Sequence, residues 1–186
     1  MASEVAAALH ASLDVLVVRK LGVPNHRELA MGAIGEGGAI VVDEGIMDYA
    51  RVGQGDLERI ITEERAELDR RVLLYRQHRP MQPLAGRTVI VVDDGIATGS
   101  TARAALQVIR SHRPKRIILA TPVAAPDVVR KLRQETDEVV VLEQPSSFNS
   151  VGAWYDDFDQ TTDEDVVLAI DDAHLRGHLI IPSDGP

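Results

Sequence analysis

Two aspartates, Asp93 and Asp94, stand side by side at the end of the apolar run Thr88–Val92. The residues after them are mostly small or hydroxylated: Gly95, Ile96, Ala97, Thr98, Gly99, Ser100 and Thr101. A short run rich in Val and Ile reads as a strand, and Ala102, Ala105, Leu106 and Ile109 fall at i, i+3, i+4 and i+7 of a following helix. A strand C-terminus therefore feeds a helix N-terminus. Main-chain N–H groups of residues 95–101 can converge there on a phosphate, helped by the positive end of the helix dipole. Thr98, Ser100 and Thr101 add hydroxyl donors, and Gly95 and Gly99 allow close approach and positive φ. Paired carboxylates repel a phosphate; they suit the hydroxyl end of a ligand, or a divalent cation that takes oxygen ligands. The combination describes a sugar phosphate lying along the loop.

Other phosphate and nucleophile motifs do not fit. The Gly-x4-Gly-Lys-Ser/Thr spacing of a P-loop is absent, as is Gly-x-Gly-x-x-Gly at this strand end. Gly-x-Ser-x-Gly is missing too, so there is no nucleophile elbow.

The stretch VIVVDDGIATGST resembles the motif of the type I phosphoribosyltransferases: an apolar strand, two acidic residues, a few variable residues, then Thr-Gly and a small or hydroxyl residue. The resemblance implies a Rossmann-like α/β fold, a parallel sheet flanked by helices with a small hood. It implies that Asp93 and Asp94 hold the ribose hydroxyls of phosphoribosyl pyrophosphate (PRPP), and that Gly95, Ile96, Ala97, Thr98, Gly99, Ser100 and Thr101 hold its 5′-phosphate. Mg²⁺ would arrive mainly with PRPP, near Asp93 and Asp94, rather than in a protein cage. Arg19 and Lys20, read as following the first strand, would face the pyrophosphate and act in catalysis. Phe148, Trp154 and Tyr155 would belong to a hood over the base. Family members acting on 6-oxopurines usually carry an Asp where Ala97 stands, so such a base is disfavoured; adenine- and uracil-type enzymes look similar to this chain at that position. The activity implied is transfer of ribose 5-phosphate between PRPP and a nitrogenous base with release of pyrophosphate. The alternative is a PRPP- or nucleotide-sensing regulator of the same fold. A cytoplasmic homodimer is the expected form.

Several elements must position these residues. Besides residues 88–92, four runs read as buried parallel strands: 13–18 (LDVLVV), 39–42 (AIVV), 116–120 (RIILA) and 138–142 (EVVVL). Pro126 opens a helix after the fourth run in chain order. Alternating strands and helices predict one sheet covered on both faces. Residues 45–82 form an excursion dominated by a charged helix over 56–79, read equally as a lid or a plain surface helix, with Glu64 interrupting its apolar stripe. Residues 143–176 make the hood region and 177–186 a loose tail. Gly32, Gly35, Gly37 and Gly38 read as a turn or mobile loop, and the charges around Glu63 as a solvated helix face. His174 and His178 have weak metal-ligand spacing.

The whole chain reads as one domain. Its 186 residues suffice for a hydrophobic core, and 45% apolar with 26% charged residues is ordinary globular composition. No apolar run reaches the ~18 residues of a membrane span. A formal charge of −9 disfavours general nucleic-acid binding. The absence of cysteine excludes disulfides, thiolate metal sites and a cysteine nucleophile. Residues 2–10 read as a helix with no strand ahead of them. Against the family pattern, the expected gap is an inner strand and its pyrophosphate loop. That predicts a truncated start or a degenerate member, and neighbouring backbone left for another chain or a rearranged segment to pair.

Overall fold

A computed structural model describes residues 1–77, 79–159 and 161–175, apart from the side chains of Arg27 and Glu28. The tail 177–186, with His178, lies outside the described residues. After helix α1 (Ala2–Leu9), the chain builds an antiparallel sheet of β1 (Val18–Val23), β2 (His26–Gly35) and β3 (Ile40–Val42), in that spatial order. Helices α2 (Glu44–Ala50) and α3 (Gln54–Arg76) follow. A parallel sheet of β4 (Thr88–Val92), β5 (Arg116–Val123) and β6 (Glu138–Glu143) comes next, with α4 (Ser100–Ser111) and α5 (Pro126–Leu132) as its crossovers; α6 is Asp163–Leu175. The α/β class and the helix-flanked parallel sheet are as the sequence predicts.

The first half departs from prediction. Residues 11–17 form no strand; β1 starts at Val18, runs through Arg19 and Lys20, and turns back antiparallel into β2. The two-residue loop Pro24-Asn25 makes the hairpin, with Asn25 in the left-handed region at φ 64°, a conformation Asn tolerates. Gly32 and Gly35 are not in a loop but inside β2. A Cβ on Gly32 would lie 2.2 Å from the Val41 carbonyl oxygen, and one on Gly35 would lie 2.3 Å from Val108 Cγ1 of α4. They are glycine because neighbouring strand and helix approach too closely for a side chain. Only Gly37 and Gly38, with φ of 76° and 81°, make the turn toward β3.

Helix α4 joins the two sheets. Ala102, Leu106 and Ile109 enter the core of the parallel sheet with Ile117, Leu119, Val129 and Leu132. Ala104 and Val108 pack on Ala33 of the antiparallel sheet. Leu57, Ile60, Leu68 and Tyr75 of α3 pack with Leu21, Met31 and Ile34, and with Val166 and Val167 of α6. Glu64 breaks the stripe of α3 because it pairs with Arg19 of β1, N to O 2.7 Å, both side chains 29% exposed. Among the described residues, the predicted cover on both faces is complete on one of them. Val89, Val91, Val139 and Val141 pack into the core beneath α4 and α5. Ile90, Val92, Ile118 and Ala120 on the opposite face are only half-buried, and Val140 and Leu142 are 41% and 76% exposed.

A buried ion network ties the first half together. Arg76, at the end of α3, reaches Glu36 at 2.6 Å, Asp14 at 2.8 Å and the carbonyl oxygen of Val15 at 2.6 Å. Arg76 and Glu36 are 6% and 5% exposed. Asp14 also accepts from the main-chain N–H of Val15 and of Gln82. Each carboxylate is thus paired, as buried charge requires.

Candidate functional site

The loop between β4 and α4 is anchored at both ends and in its middle. Asp93 donates its main-chain N–H to the Ala120 carbonyl at 3.0 Å. Ile96 is 2% exposed, donates to the Val123 carbonyl and accepts from Ala125 N–H, at 3.0 and 3.1 Å. The Ile96 N–H is therefore taken by β5, and the phosphate-facing N–H groups expected of this loop exclude that one. Pinning Ile96 inward leaves Asp94, Ala97 and Thr98 exposed on the outer side.

Gly99 takes φ 75° immediately before α4, and a Cβ there would meet Val128 Cγ1 at 2.6 Å. Turn geometry and packing against α5 thus require a glycine on their own, without a bound phosphate. No side chain caps α4 at Gly99, so the N–H groups of its first turn are left without a side-chain acceptor. The hydroxyls of Thr98 and Ser100 lie 2.9 Å apart beside them. An uncapped helix start flanked by hydroxyls is suited to an anion.

The aspartates differ from each other. Asp94 is exposed, whereas Asp93 is half-buried and its pKa is pushed up to about 6 by burial and by the neighbouring Asp94 carboxylate. Main-chain N–H groups of Asp94 and Gly95 facing Asp93 act in the opposite sense. Such a pair, short of compensating charge, favours ligand hydroxyls or a cation.

Residues 151–158 close over this strand end. A Cβ on Gly95 would lie 2.3 Å from Val151 Cγ1, so Val151 seats on Gly95. Tyr155 donates its hydroxyl to the Asp94 carbonyl at 2.5 Å, and its ring meets Phe158 at a centroid distance of 5.0 Å. The proposed hood residues separate here. Tyr155 reaches the acidic pair and Trp154 is 46% exposed, while Phe148 packs against the core of the parallel sheet. Phe158 is a further residue of this loop, and Gly152, whose missing Cβ leaves room for its ring, seats it. Arg19 and Lys20 lie within β1, on alternate faces of the strand, and Arg19 is engaged by Glu64. Among the described residues no group of three or more His, Cys, Asp or Glu side chains could hold a metal ion.

The model of the phosphoribosyl transferase domain matches residues 2–156, from α1 through the acidic loop to Tyr155 and beyond. The chain belongs to the phosphoribosyl transferase domain family. A Mycobacterium tuberculosis protein bearing the name "Putative phosphoribosyl transferase" is 45% identical over 94% of this chain; the chain spans 39% of that relative's length. A uracil phosphoribosyltransferase of Clostridioides difficile is 31% identical over half of each chain. The crystal structure of TT1426 from Thermus thermophilus superposes with a TM-score of 0.83 at 43% identity, over 90% of this chain and 79% of that one. In this phosphoribosyl transferase domain, no helix among the described residues is long and apolar enough to cross a membrane.

Proposed function

We propose that the chain is an active phosphoribosyltransferase that exchanges the pyrophosphate of PRPP for a nitrogenous base at C1 of the ribose. A ring nitrogen of the base forms the new bond to C1 as the bond from C1 to the pyrophosphate oxygen breaks; the pyrophosphate leaves with that bond's electron pair, and the ring nitrogen's proton passes to water. The observation that carries this reading is an acidic pair, one carboxylate exposed and one half-buried, joined by a short loop to an uncapped, hydroxyl-flanked helix start. Asp93 and Asp94 accept hydrogen bonds from the ribose hydroxyls. The first-turn N–H groups of α4, with Thr98, Ser100 and Thr101, hold the 5′-phosphate. Most of the work is positioning and stabilising charge as it separates. Ala97 leaves no carboxylate for a 6-oxopurine, so the base belongs to another class.

Mg²⁺ fits this donor set as a passenger on PRPP. Two adjacent carboxylates without a third acidic or imidazole ligand among the described residues do not make a cage, but they tolerate a hard cation that keeps its phosphate and water oxygens. When bound, the cation would neutralise pyrophosphate charge. A homodimer in the cytoplasm completes the reading, and sedimentation of the purified chain tests the dimer.

The Arg19–Glu64 pair favours a second reading, because a cation expected to face the leaving group is committed to α3. In that case the chain binds PRPP as a sensor and does not turn it over. Pyrophosphate release from Mg²⁺ and PRPP across a panel of bases, with calorimetry of PRPP binding, separates the two. Turnover supports the transferase, binding alone supports the sensor, and neither binding nor turnover removes both.

A further inference from the structure

We propose that Tyr155 is a positioning residue for the PRPP site, its hydroxyl fixing the peptide unit between Asp94 and Gly95, where the acidic pair passes into the phosphate loop. This rests on the PRPP reading above and adds a residue to it. The carbonyl that Tyr155 holds and the Gly95 N–H are two ends of one planar peptide group. The carbonyl end receives the phenol hydroxyl, and the N–H end belongs to Gly95, the first residue of the loop after the acidic pair. Holding one end of a rigid plane sets the direction of the other, and a hydrogen bond accepted by the carbonyl polarises the N–H toward a better donor.

The loop that carries Tyr155 is itself held in place. Val151 sits on the bare Cα of Gly95, and Phe158 packs on Tyr155 and over Gly152. Phe148, at the start of the same loop, packs against the core of the parallel sheet. The hydroxyl therefore acts from a fixed support. This role differs from that of a platform on which a base stacks, which needs the ring and not the hydroxyl.

Two substitutions separate these roles. Tyr155→Phe removes the hydroxyl and keeps the ring; Tyr155→Leu removes both. Affinity for Mg²⁺–PRPP is measured by calorimetry, and the Gly95 amide resonance is followed by ¹⁵N–¹H correlation in ligand-free protein. A positioning role predicts that both variants lose PRPP affinity by about tenfold, the scale of one hydrogen bond, and that Tyr155→Phe displaces the Gly95 resonance. Wild-type affinity in Tyr155→Phe overturns the proposal while leaving the PRPP site standing, whether or not the resonance moves. If wild-type protein binds no PRPP, the site reading falls and the proposed role falls with it. A Gly95 resonance that still moves in Tyr155→Phe would then show that only the peptide clamp exists.

Discussion

Around β4, β5 and β6 the connections are local. Each strand runs into a loop and each loop into a helix, and the acidic loop is held by hydrogen bonds to the next strand. Around β1, β2, β3 and α3 the decisive contacts join residues far apart in the chain: Arg76 with Asp14 and Glu36, Arg19 with Glu64, Tyr75 with Asp163. The first region pairs its exposed arginines with Glu135, Asp137 and Glu138 but carries at the end of β4 an acidic pair that no cation among the described residues neutralises. The second buries Glu36 and Arg76 and pairs them with each other, with Asp14 as a further partner of Arg76. Glu36 and Asp14 thus serve architecture, with a guanidinium within hydrogen-bond reach, whereas Asp93 and Asp94 have no guanidinium paired to them among the described residues and are left for the ligand role proposed above.

Breaking the buried network tests the architectural side most severely. Arg76→Met leaves Glu36 and Asp14 without their cation, and we expect a loss of about 3–5 kcal/mol in denaturant unfolding, the scale for removing one partner of a buried pair. A loss under about 1 kcal/mol, the range of exposed ion pairs, would erase the contrast between the halves.

The opposite sign is expected at the site. Asp93 has a folded pKa near 6 against an ordinary 3.8. A carboxyl raised in this way contributes stability that is full below about pH 4 and is lost as pH rises through about 6. Asp93→Asn should therefore stabilise the ligand-free protein at pH 7.5 by on the order of 2–3 kcal/mol, an upper figure from ~1.36 kcal/mol per pKa unit. The gap should narrow toward pH 4, and PRPP affinity should fall. Chemical denaturation across pH checks the first part and calorimetry the second. Destabilisation at pH 7.5 would place Asp93 on the architectural side.

Gly35→Ala tests the joint between the halves. Its Cβ would lie 2.3 Å from Val108 Cγ1, and we expect a loss of about 1–3 kcal/mol from overpacking, with Val108→Ala in the same chain restoring part of it. Smallest in stability is Thr98→Ala. The residue is exposed and bonded only to Ser100 among the partners described, so the melting temperature should hardly move, while PRPP binding weakens by about 1–3 kcal/mol. A change in melting temperature without a change in affinity would assign Thr98 to the turn.

The sequence by itself determined the parallel half and its loop. Val-rich runs, Pro126 at a helix start and the Asp-Asp-Gly to Gly-Ser-Thr passage each carry a local physical rule, and β4, α4, β5, α5 and β6 lie where those rules put them. The tertiary structure alone decided the rest. Gly32 and Gly35 look like loop glycines, because a close approach by Val41 or Val108 leaves no mark in the neighbouring sequence. Residues 13–17 carry the composition of a strand but form none, since strand formation needs a partner edge as well as apolar residues. Gly99 looked like a contact for phosphate and is required first by Val128. Glu36, Asp14 and Arg76 gave no signal, because ion pairs across 40 and 62 residues of chain have no periodicity. Tyr155 was legible as an aromatic near the site, but its aim at the Asp94 carbonyl depends on how the loop at 151–158 returns to β4.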